Sequence, residues 1–119
     1  MTDRAAAERR GRRAERLAAA YLTMKGYRVL ERRVRTPVGE IDLIAEKGRT
    51  LVFVEIKQRS GGSGSAEAVT PRQRHRITRA ALAYLGRNPG RAEQDVRFDI
   101  ILIDGLRPHH LAAAWRPDT

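Results

Sequence analysis

The sequence predicts a single α/β domain, residues 1–119, in which one helix, three strands, a second helix and a fourth strand follow in order. Apolar residues recur at helical spacing in two segments, and apolar runs of strand length lie between and after them. A chain of 119 residues has room for one hydrophobic core, which agrees with a single domain.

The first predicted helix has one apolar face. Its apolar residues recur every three or four positions: Ala14, Leu17, Ala18, Tyr21 and Leu22. Gly26 is expected to end this helix, because glycine often follows the last helical residue. The preceding residues 1–10 are polar and rich in arginine, so a disordered arm is expected there.

Three strands are predicted after this helix. The first covers residues 27–35, and a turn at residues 37–39 leads into a β-hairpin. The hairpin strands read GEIDLIA over residues 39–45 and LVFVEIK over residues 51–57. Both are mainly apolar, which predicts that the hairpin is buried.

Three of the charged residues in this apolar hairpin form a candidate cluster, namely Asp42, Glu55 and Lys57, whereas Glu40 is expected at the rim beside the turn. Because side chains alternate between the two faces of a strand, all three are predicted to share one face. A turn at Lys47-Gly48 makes Asp42 a diagonal neighbour of Glu55, whereas a turn at Gly48-Arg49 places the two directly opposite each other. Burying such charges is costly unless they are paired or hold a metal, so the hairpin is predicted to carry a functional cluster.

The second half of the chain is predicted to contain a helix and a strand. Residues 60–66, rich in glycine and serine, are predicted to be a flexible loop. Thr70-Pro71 is expected to cap and begin the second helix, whose apolar stripe covers residues 77–85. Residues 96–104 are predicted to form a strand covered on both faces, because their apolar run is unbroken. Residues 105–119 have no clear period and are predicted to be a tail.

The composition indicates a nucleic-acid partner. The chain has 24 Lys and Arg against 14 Asp and Glu, a net charge of +10, which favours polyanions. It has no cysteine, which excludes a disulfide scaffold and a thiolate metal site. The apolar stretches are of strand length and the N-terminus has no hydrophobic signal region, so a cytoplasmic protein without a membrane partner is expected.

Four motifs together resemble one family of small bacterial proteins. They are AERLAAAYL at 14–22, GEIDLIA at 39–45, LVFVEIKQRS at 51–60 and EAVTPRQR at 67–74. With the element order αβββαβ, they identify the chain as similar to the YraN family, which is itself similar to archaeal Holliday-junction resolvases. The resemblance implies the restriction-endonuclease-like fold of the PD-(D/E)xK nucleases, with a mixed sheet flanked by helices.

The resemblance also implies a metal-dependent catalytic site. Asp42 and Glu55 would hold Mg²⁺ or Mn²⁺, with the backbone carbonyl of Ile56 as the third protein ligand. Lys57 would stabilise transition-state charge and position water. Glu15 fits the acidic residue that this superfamily places on its first helix, where it would position a second metal ion or a water molecule. The alternative for Glu15 is a solvated helix face, with pairs to neighbouring arginines.

Several residues near these motifs are candidate nucleic-acid contacts: Arg59, Arg72, Gln73, Arg74, Arg76 and Arg79. Most of them lie in the first turns of the second helix, where the partial positive charge of the helix end favours a phosphate. A solvated helix face is the alternative for the arginines. For Gln73 the alternative is a hydrogen bond at the helix start.

Other polar and aromatic residues are expected to have structural roles. Asp99 is predicted to face away from the buried side of its strand and to form an ion pair. The histidines lack metal-ligand spacing and are predicted to be surface residues. These are His75, His109 and His110. The larger aromatic side chains are predicted to pack in the core or the tail, namely Tyr21, Tyr84 and Trp115.

Two functions follow from these observations. The first is a metal-dependent nuclease that hydrolyses phosphodiester bonds in DNA, with branched or structured DNA as the candidate substrate. The alternative is a non-catalytic nucleic-acid-binding protein that retains the nuclease fold. The intact charges on the hairpin favour the nuclease, and DNA is favoured over RNA. A two-fold homodimer would suit the cutting of both strands of a junction.

Overall fold

The chain folds into a five-stranded sheet with one helix on each face. The computed structural model describes residues 3–59 and 69–117. Its elements are α1 (Asp3–Met24), β1 (Arg28–Thr36), β2 (Gly39–Lys47), β3 (Thr50–Arg59), α2 (Pro71–Arg87), a 3-10 turn (Pro89–Arg91), β4 (Asp95–Asp104) and β5 (Arg107–Trp115). None of the helices in these ranges is long and apolar enough to cross a membrane.

The sheet is mixed, as predicted. The strands lie in the order β1-β2-β3-β4-β5, and each pairs with its sequence neighbour. The β3–β4 pair is parallel, and the other three pairs are antiparallel. Parallel strands need a crossover connection, and α2 lies in the segment that connects β3 to β4. The predicted α/β fold is therefore confirmed.

β4 separates two hydrophobic cores. Ile100 and Leu102 pack in the core that includes α2, which we call the α2-side core. Ile101 and Ile103 pack in the core that includes α1, the α1-side core. All four side chains are at most 4% exposed. The prediction of a central strand covered on both faces is therefore confirmed.

α1 starts earlier than the sequence suggested. It is helical from Asp3, so the expected disordered arm is wrong for residues 3–10, and residues 1–2 lie outside the described part. Alanine, arginine and glutamate are strong helix formers, and Arg4 pairs with Glu8 at 3.5 Å, which supports the extra turns. The predicted apolar face is confirmed by the buried Ala14, Ala18, Ala19 and Leu22.

α2 begins at the predicted cap. The Thr70 side chain accepts a hydrogen bond from the Gln73 amide, and the Gln73 side chain accepts one from the Thr70 amide. This reciprocal capping box satisfies two donors at the helix start. The buried stripe includes Ile77, Ala80, Ala81 and Tyr84, as the spacing predicted.

The predicted C-terminal tail is instead mostly the fifth strand. β5 pairs antiparallel with β4, with a register shift near Ala113, whose φ is +51°. The run of alanines before Trp115 has low strand propensity, so the sequence pattern did not reveal this strand. The ring of Trp115 stacks on Phe98 with centroids 5.1 Å apart, so long-range packing specifies β5.

The hairpin between β2 and β3 has the second of the two predicted turns. Lys47 pairs with Thr50, so Gly48-Arg49 forms the turn, and Gly48 has a φ of +59°. A positive φ at the first turn position suits glycine. The predicted flexible loop at residues 60–66 lies outside the described residues.

Candidate active site

Asp42 lies where the described pairing between β2 and β3 ends. Leu43 and Val54 are the last paired residues on this side of the hairpin. Beyond them, Asp42 Oδ2 accepts a hydrogen bond from the Ile56 amide at 2.8 Å. The carboxylate thus takes the place that a backbone carbonyl would hold in a continuous ladder.

The face alternation of β2 changes at Asp42. Ile41 and Ile44 both pack in the α2-side core, although they are three residues apart and a regular strand would place them on opposite faces. Asp42 lines a cavity beside α1. The prediction that Asp42 shares a regular face with the other two charges is therefore wrong, because the strand is irregular at this residue.

The three predicted charges nevertheless lie together. The carboxyl groups of Asp42 and Glu55 adjoin each other, since the charge of Asp42 raises the pKa of Glu55. Lys57 Nζ lies 3.8 Å from Glu55 Oε1, and the Glu55 and Lys57 side chains are 16% and 29% exposed. The cluster is therefore two adjoining carboxyl groups with one ammonium beside them.

The Asp42 carboxylate disfavours the ionisation of Glu55. Burial, together with the charge of Asp42, raises the pKa of Glu55 to about 8, although the charges of Lys57 and Arg76 oppose the shift. Burial also raises the pKa of Asp42, although the hydrogen bond from the Ile56 amide opposes this. A cation placed between the two groups would offset their loss of water.

Glu15 reaches the same cavity from α1. The cavity has a volume of about 460 Å³, and its lining includes Glu15, Arg33 and Asp42. The Glu15 carboxylate accepts a hydrogen bond from Arg33 Nε. The partner is an arginine of β1, not one of the neighbouring arginines on α1 that the solvated-face alternative predicted.

Arg33 is a site residue that the sequence did not identify. Its φ is +50°, a conformation that residues other than glycine rarely adopt. The hydrogen bond to Glu15 raises its pKa, and the charges of Glu40 and Asp42 act in the same direction. Such strained conformations cluster at functional sites, but no motif in the sequence marks this arginine.

The remaining predicted acid lies at the rim. Glu40 is exposed and lines the cavity mouth, with its Oε2 atom 3.8 Å from Arg35 Nε. This agrees with the position expected for the residue next to the turn at residues 37–39.

One arginine of α2 acts on the acid pair. The charge of Arg76 lowers the pKa of Glu55. A Cβ atom at Gly39 would lie 3.3 Å from Arg76 Cγ, so the glycine leaves room for Arg76 to cross the start of β2. The close approach explains the glycine at this position.

The other predicted nucleic-acid contacts differ in what their side chains touch. Gln73 makes the hydrogen bond at the helix start that was predicted as the alternative to a nucleic-acid contact. Arg74 Nε donates to the Val69 carbonyl at 2.9 Å, and its guanidinium lies 5.9 Å from the centre of the Trp115 ring. Arg72 and Arg79 are exposed. The side chain of Arg59 lies outside the described part of the chain.

A fully buried acid lies away from this site and corrects one prediction. Asp99 is fully buried, whereas it was expected to face away from the buried side of β4. It accepts two hydrogen bonds from Arg97, both 2.8 Å long, and one from the Ala113 amide at 3.0 Å. The predicted ion pair is confirmed, but the strand β5 that covers it was not foreseen.

His110 is the fourth contact of Asp99. Its Nε2 atom lies 2.6 Å from Asp99 Oδ2, and its side chain is 1% exposed, so the predicted surface position is wrong. His75 and His109 are exposed, as predicted. His110 is buried because it lies on β5 and faces the rings of Tyr21 and Tyr27.

The fold and this site together define the class of the protein. A mixed sheet between two helices, with acids on its β2–β3 hairpin, has the architecture of a restriction-endonuclease-like α/β core. The sequence model of the Uncharacterised protein family UPF0102 matches residues 14–103. The chain belongs to the UPF0102 family, the same family as the YraN proteins that its motifs resemble.

Curated relatives cover nearly the whole chain. A UPF0102 protein of Parvibaculum lavamentivorans is 55% identical over 113 residues, which are 94% of this chain and 85% of that protein. A UPF0102 protein of Rhodopseudomonas palustris (strain HaA2) is 50% identical over 114 residues, 95% of this chain and 89% of the relative. A third, from Bradyrhizobium sp. (strain ORS 278), is 52% identical over 114 residues, 95% of this chain and 81% of the relative.

Proposed function

We propose that this protein is a metal-dependent nuclease that hydrolyses phosphodiester bonds in DNA, with branched or structured DNA as its substrate. The observation that carries the proposal is that the half-buried carboxyl groups of Asp42 and Glu55 adjoin each other, with Lys57 Nζ 3.8 Å from Glu55 Oε1. A carboxylate with a purely structural role is expected to accept hydrogen bonds from several donors. Two acids held against each other indicate a ligand that neutralises them.

The donor set fits Mg²⁺ or Mn²⁺. Magnesium is usually held by one or two carboxylates and keeps several of its waters. Asp42 and Glu55 would be those carboxylates, and the carbonyl of Ile56 would be the third protein ligand. The residues that the structure describes contain no group of three or more His, Asp or Glu suited to an ion. Water would therefore supply the other ligands.

The chain's own residues supply positive charge and orientation. When bound, the ion lowers the pKa of a water molecule and neutralises phosphate charge. Lys57 places its ammonium beside the acids, where it stabilises the negative charge that develops on the phosphoryl oxygens. Arg33 does the same from the cavity wall, and Glu15 holds its guanidinium in place. In this proposal Glu15 is a positioning residue, and a role at a second metal ion requires its pair with Arg33 to open.

The substrate is bound by arginines. Arg72 and Arg79 of α2 are exposed, and the net charge of +10 favours a polyanion. Arg76 extends this surface to the acid pair. Two copies related by a two-fold axis would present two sites to the two strands of a junction, which is the assembly we propose for cleavage of branched DNA.

A cleavage panel tests this function. Junction, flap, duplex and single-stranded DNAs are incubated with Mg²⁺ or Mn²⁺ and either the wild-type protein or Asp42→Asn. We expect the wild type to cut at least one of them, and Asp42→Asn to cut it at least about 10²–10³-fold more slowly while binding it equally well. If the wild type binds the panel but cuts nothing with either metal, the nuclease proposal fails and the non-catalytic binding function replaces it.

A further inference from the structure

We propose that the N-terminal half of α1 is a docking surface for the phosphate backbone of double-stranded nucleic acid, which it guides to the acid pair. This inference rests on the proposed nuclease function and names the surface and the class of substrate. The surface, which we call the α1 arm, consists of residues 3–13 together with the exposed Arg16.

The α1 arm is open to a partner. Residues 3–13 include no buried side chain, and the helix packs on the sheet only from Ala14 onward. Eleven helical residues extend over about 16 Å. An exposed helix of this length is stabilised by its own propensity. Four exposed arginines of the arm are available for contacts outside the domain, namely Arg10, Arg12, Arg13 and Arg16.

Arginines dominate this arm. Arg9, Arg13 and Arg16 follow at spacings of four and three, so they lie along one face of the helix over a rise of about 10 Å. With Arg10 they line a surface groove of about 450 Å³. Such a row matches a series of backbone phosphates rather than a single anion.

Among the described residues, the acids of α1 do not neutralise Arg13 and Arg16 of this row. Glu8 pairs with Arg4, and Glu15 pairs with Arg33 of β1. Within the described residues no carboxylate lies within 4.0 Å of the cationic atoms of four arginines. They are Arg10, Arg12, Arg13 and Arg16.

The row also flanks the approach to the acid pair. Arg12 lines the cavity that contains Asp42. Arg10 and Arg13 line a second cavity of about 440 Å³ along the other edge of α1. Gln58 of β3 borders both cavities. A backbone that follows α1 therefore passes beside the candidate site.

α2 offers fewer exposed cations than the α1 arm. Arg74 donates to the Val69 carbonyl and lies over Trp115, and Arg76 packs across Gly39. Two arginines in its first turns are therefore used in part for local contacts. The α1 arm provides the longer cationic surface.

The exposed side chains favour a duplex over a single strand. Proteins that bind single strands without sequence preference stack bases on exposed aromatic rings. In the described part of the chain, the large apolar side chains that are exposed are Met24, Leu82 and Leu106, and none of them is aromatic. Recognition through phosphates alone is typical of sequence-independent duplex binding.

The test is the salt dependence of duplex binding by two matched variants of the full chain. Arg13→Gln/Arg16→Gln removes two cations from the α1 arm, and Arg72→Gln/Arg79→Gln removes two from α2. Glutamine is a good helix former, so both helices are expected to remain, which circular dichroism checks. Each phosphate contact contributes about 0.9 to the slope of log K against log salt, so the α1 variant is expected to lose a slope of about 2. The α2 variant is expected to lose less.

Three results would overturn the inference. They are an α1 variant with the wild-type slope, a larger loss in the α2 variant, and a wild type that binds single strands more tightly than duplex. If the α1 variant does not fold, Arg10→Gln/Arg13→Gln replaces it with the same expectation. If the α1 variant loses slope but the wild type cuts no DNA, the nuclease proposal fails and the docking surface on the α1 arm stands. Cleavage by the wild type together with a wild-type slope in the α1 variant would remove this surface but keep the nuclease proposal.

Discussion

Asp99 on β4 and Asp42 on β2 are both acids on the strands of one sheet, but their surroundings differ. Burial alone would raise the pKa of Asp99, yet hydrogen bonds from His110, Arg97 and the Ala113 amide lower it below its ordinary value. Asp42 accepts a hydrogen bond from one backbone amide, and burial raises its pKa. Burial and the charge of Asp42 raise the pKa of Glu55.

The difference separates a structural acid from a candidate functional one. A buried carboxylate with several donors stabilises the fold in the absence of any ligand. Two carboxyl groups in contact lower the stability of the ligand-free protein at neutral pH, and a cation would recover it. In the sequence both acids are single charges inside apolar strands. The contacts around them distinguish the two roles.

The largest effect is expected at the structural acid. Asp99→Asn leaves Arg97 and His110 without their charged partner in a buried site. The free energy of unfolding is therefore expected to fall by about 3 kcal/mol or more. Urea denaturation measures this. Asp95→Asn, at the exposed start of the same strand, is the control and should change stability by less than about 0.5 kcal/mol. A loss below about 1 kcal/mol for Asp99→Asn would contradict the structural assignment.

The opposite sign is expected at the candidate site. Asp42→Asn keeps an oxygen for the Ile56 amide but removes one of two adjoining charges. Without divalent metal at pH 8, this variant is expected to gain about 1 kcal/mol, or about 4 °C in melting temperature for a domain of this size. Thermal denaturation in the presence of a chelator measures it. A destabilised Asp42→Asn would show that the acid pair contributes to folding as Asp99 does.

The pH dependence of stability sharpens the same contrast. Glu55 has a folded pKa of about 8 against 4.5 when unfolded, so the folded state holds an extra proton between these values. Stability of the metal-free protein should therefore fall as the pH rises from about 5 to 8. The lowered pKa of Asp99 acts in the other direction. Its ionised carboxylate stabilises the fold at any pH above its unfolded pKa, and this stabilisation is lost as the pH falls through its folded pKa.

A series of melts from strongly acidic pH up to about pH 8 checks both limbs. In Asp42→Asn, the stability of the metal-free protein should fall less as the pH rises towards 8. The loss of stability at acidic pH, which belongs to Asp99, should be unchanged. A wild type whose stability is constant from pH 5 to 8 would contradict the proposed electrostatic repulsion between Asp42 and Glu55.

The sequence predicted the parts of the molecule that local pattern controls. The hairpin, the Thr70 cap of α2 and the doubly covered β4 follow from alternation, a capping motif and an unbroken apolar run. The same alternation brought the charges of the hairpin together, even though β2 changes face at Asp42. Local rules were sufficient there because the residues involved are close in sequence.

The parts that were missed depend on distant contacts. β5 has little strand propensity and is specified by pairing with β4 and by Trp115, so the burial of His110 and Asp99 was missed with it. In the sequence Arg33 resembles the arginines around it, whereas its backbone conformation and its pair with Glu15 are imposed by the fold. Neither feature leaves a periodic signal in the sequence.

The smallest change in stability is expected at Arg33. Arg33→Gly relieves the positive φ but removes a partly exposed pair with Glu15, so the two effects offset to within about 1 kcal/mol. Cleavage is nevertheless expected to fall, because a cation is lost from the cavity. Single-turnover rates measure this, with Arg33→Lys as the control that keeps the charge. Unchanged cleavage in Arg33→Gly would remove Arg33 from the site.

The central claim is that Asp42 and Glu55 hold a divalent cation, and calorimetric titration with Mn²⁺ at pH 7 tests it most directly. We expect the wild type to bind the ion and to release close to one proton, because Glu55 with a pKa of about 8 is largely protonated in the metal-free protein. We expect Asp42→Asn to bind at least about 10–100-fold more weakly, which is the loss typical of even an outer-shell partner. Equal affinity in the two proteins, with no proton release, would contradict the claim.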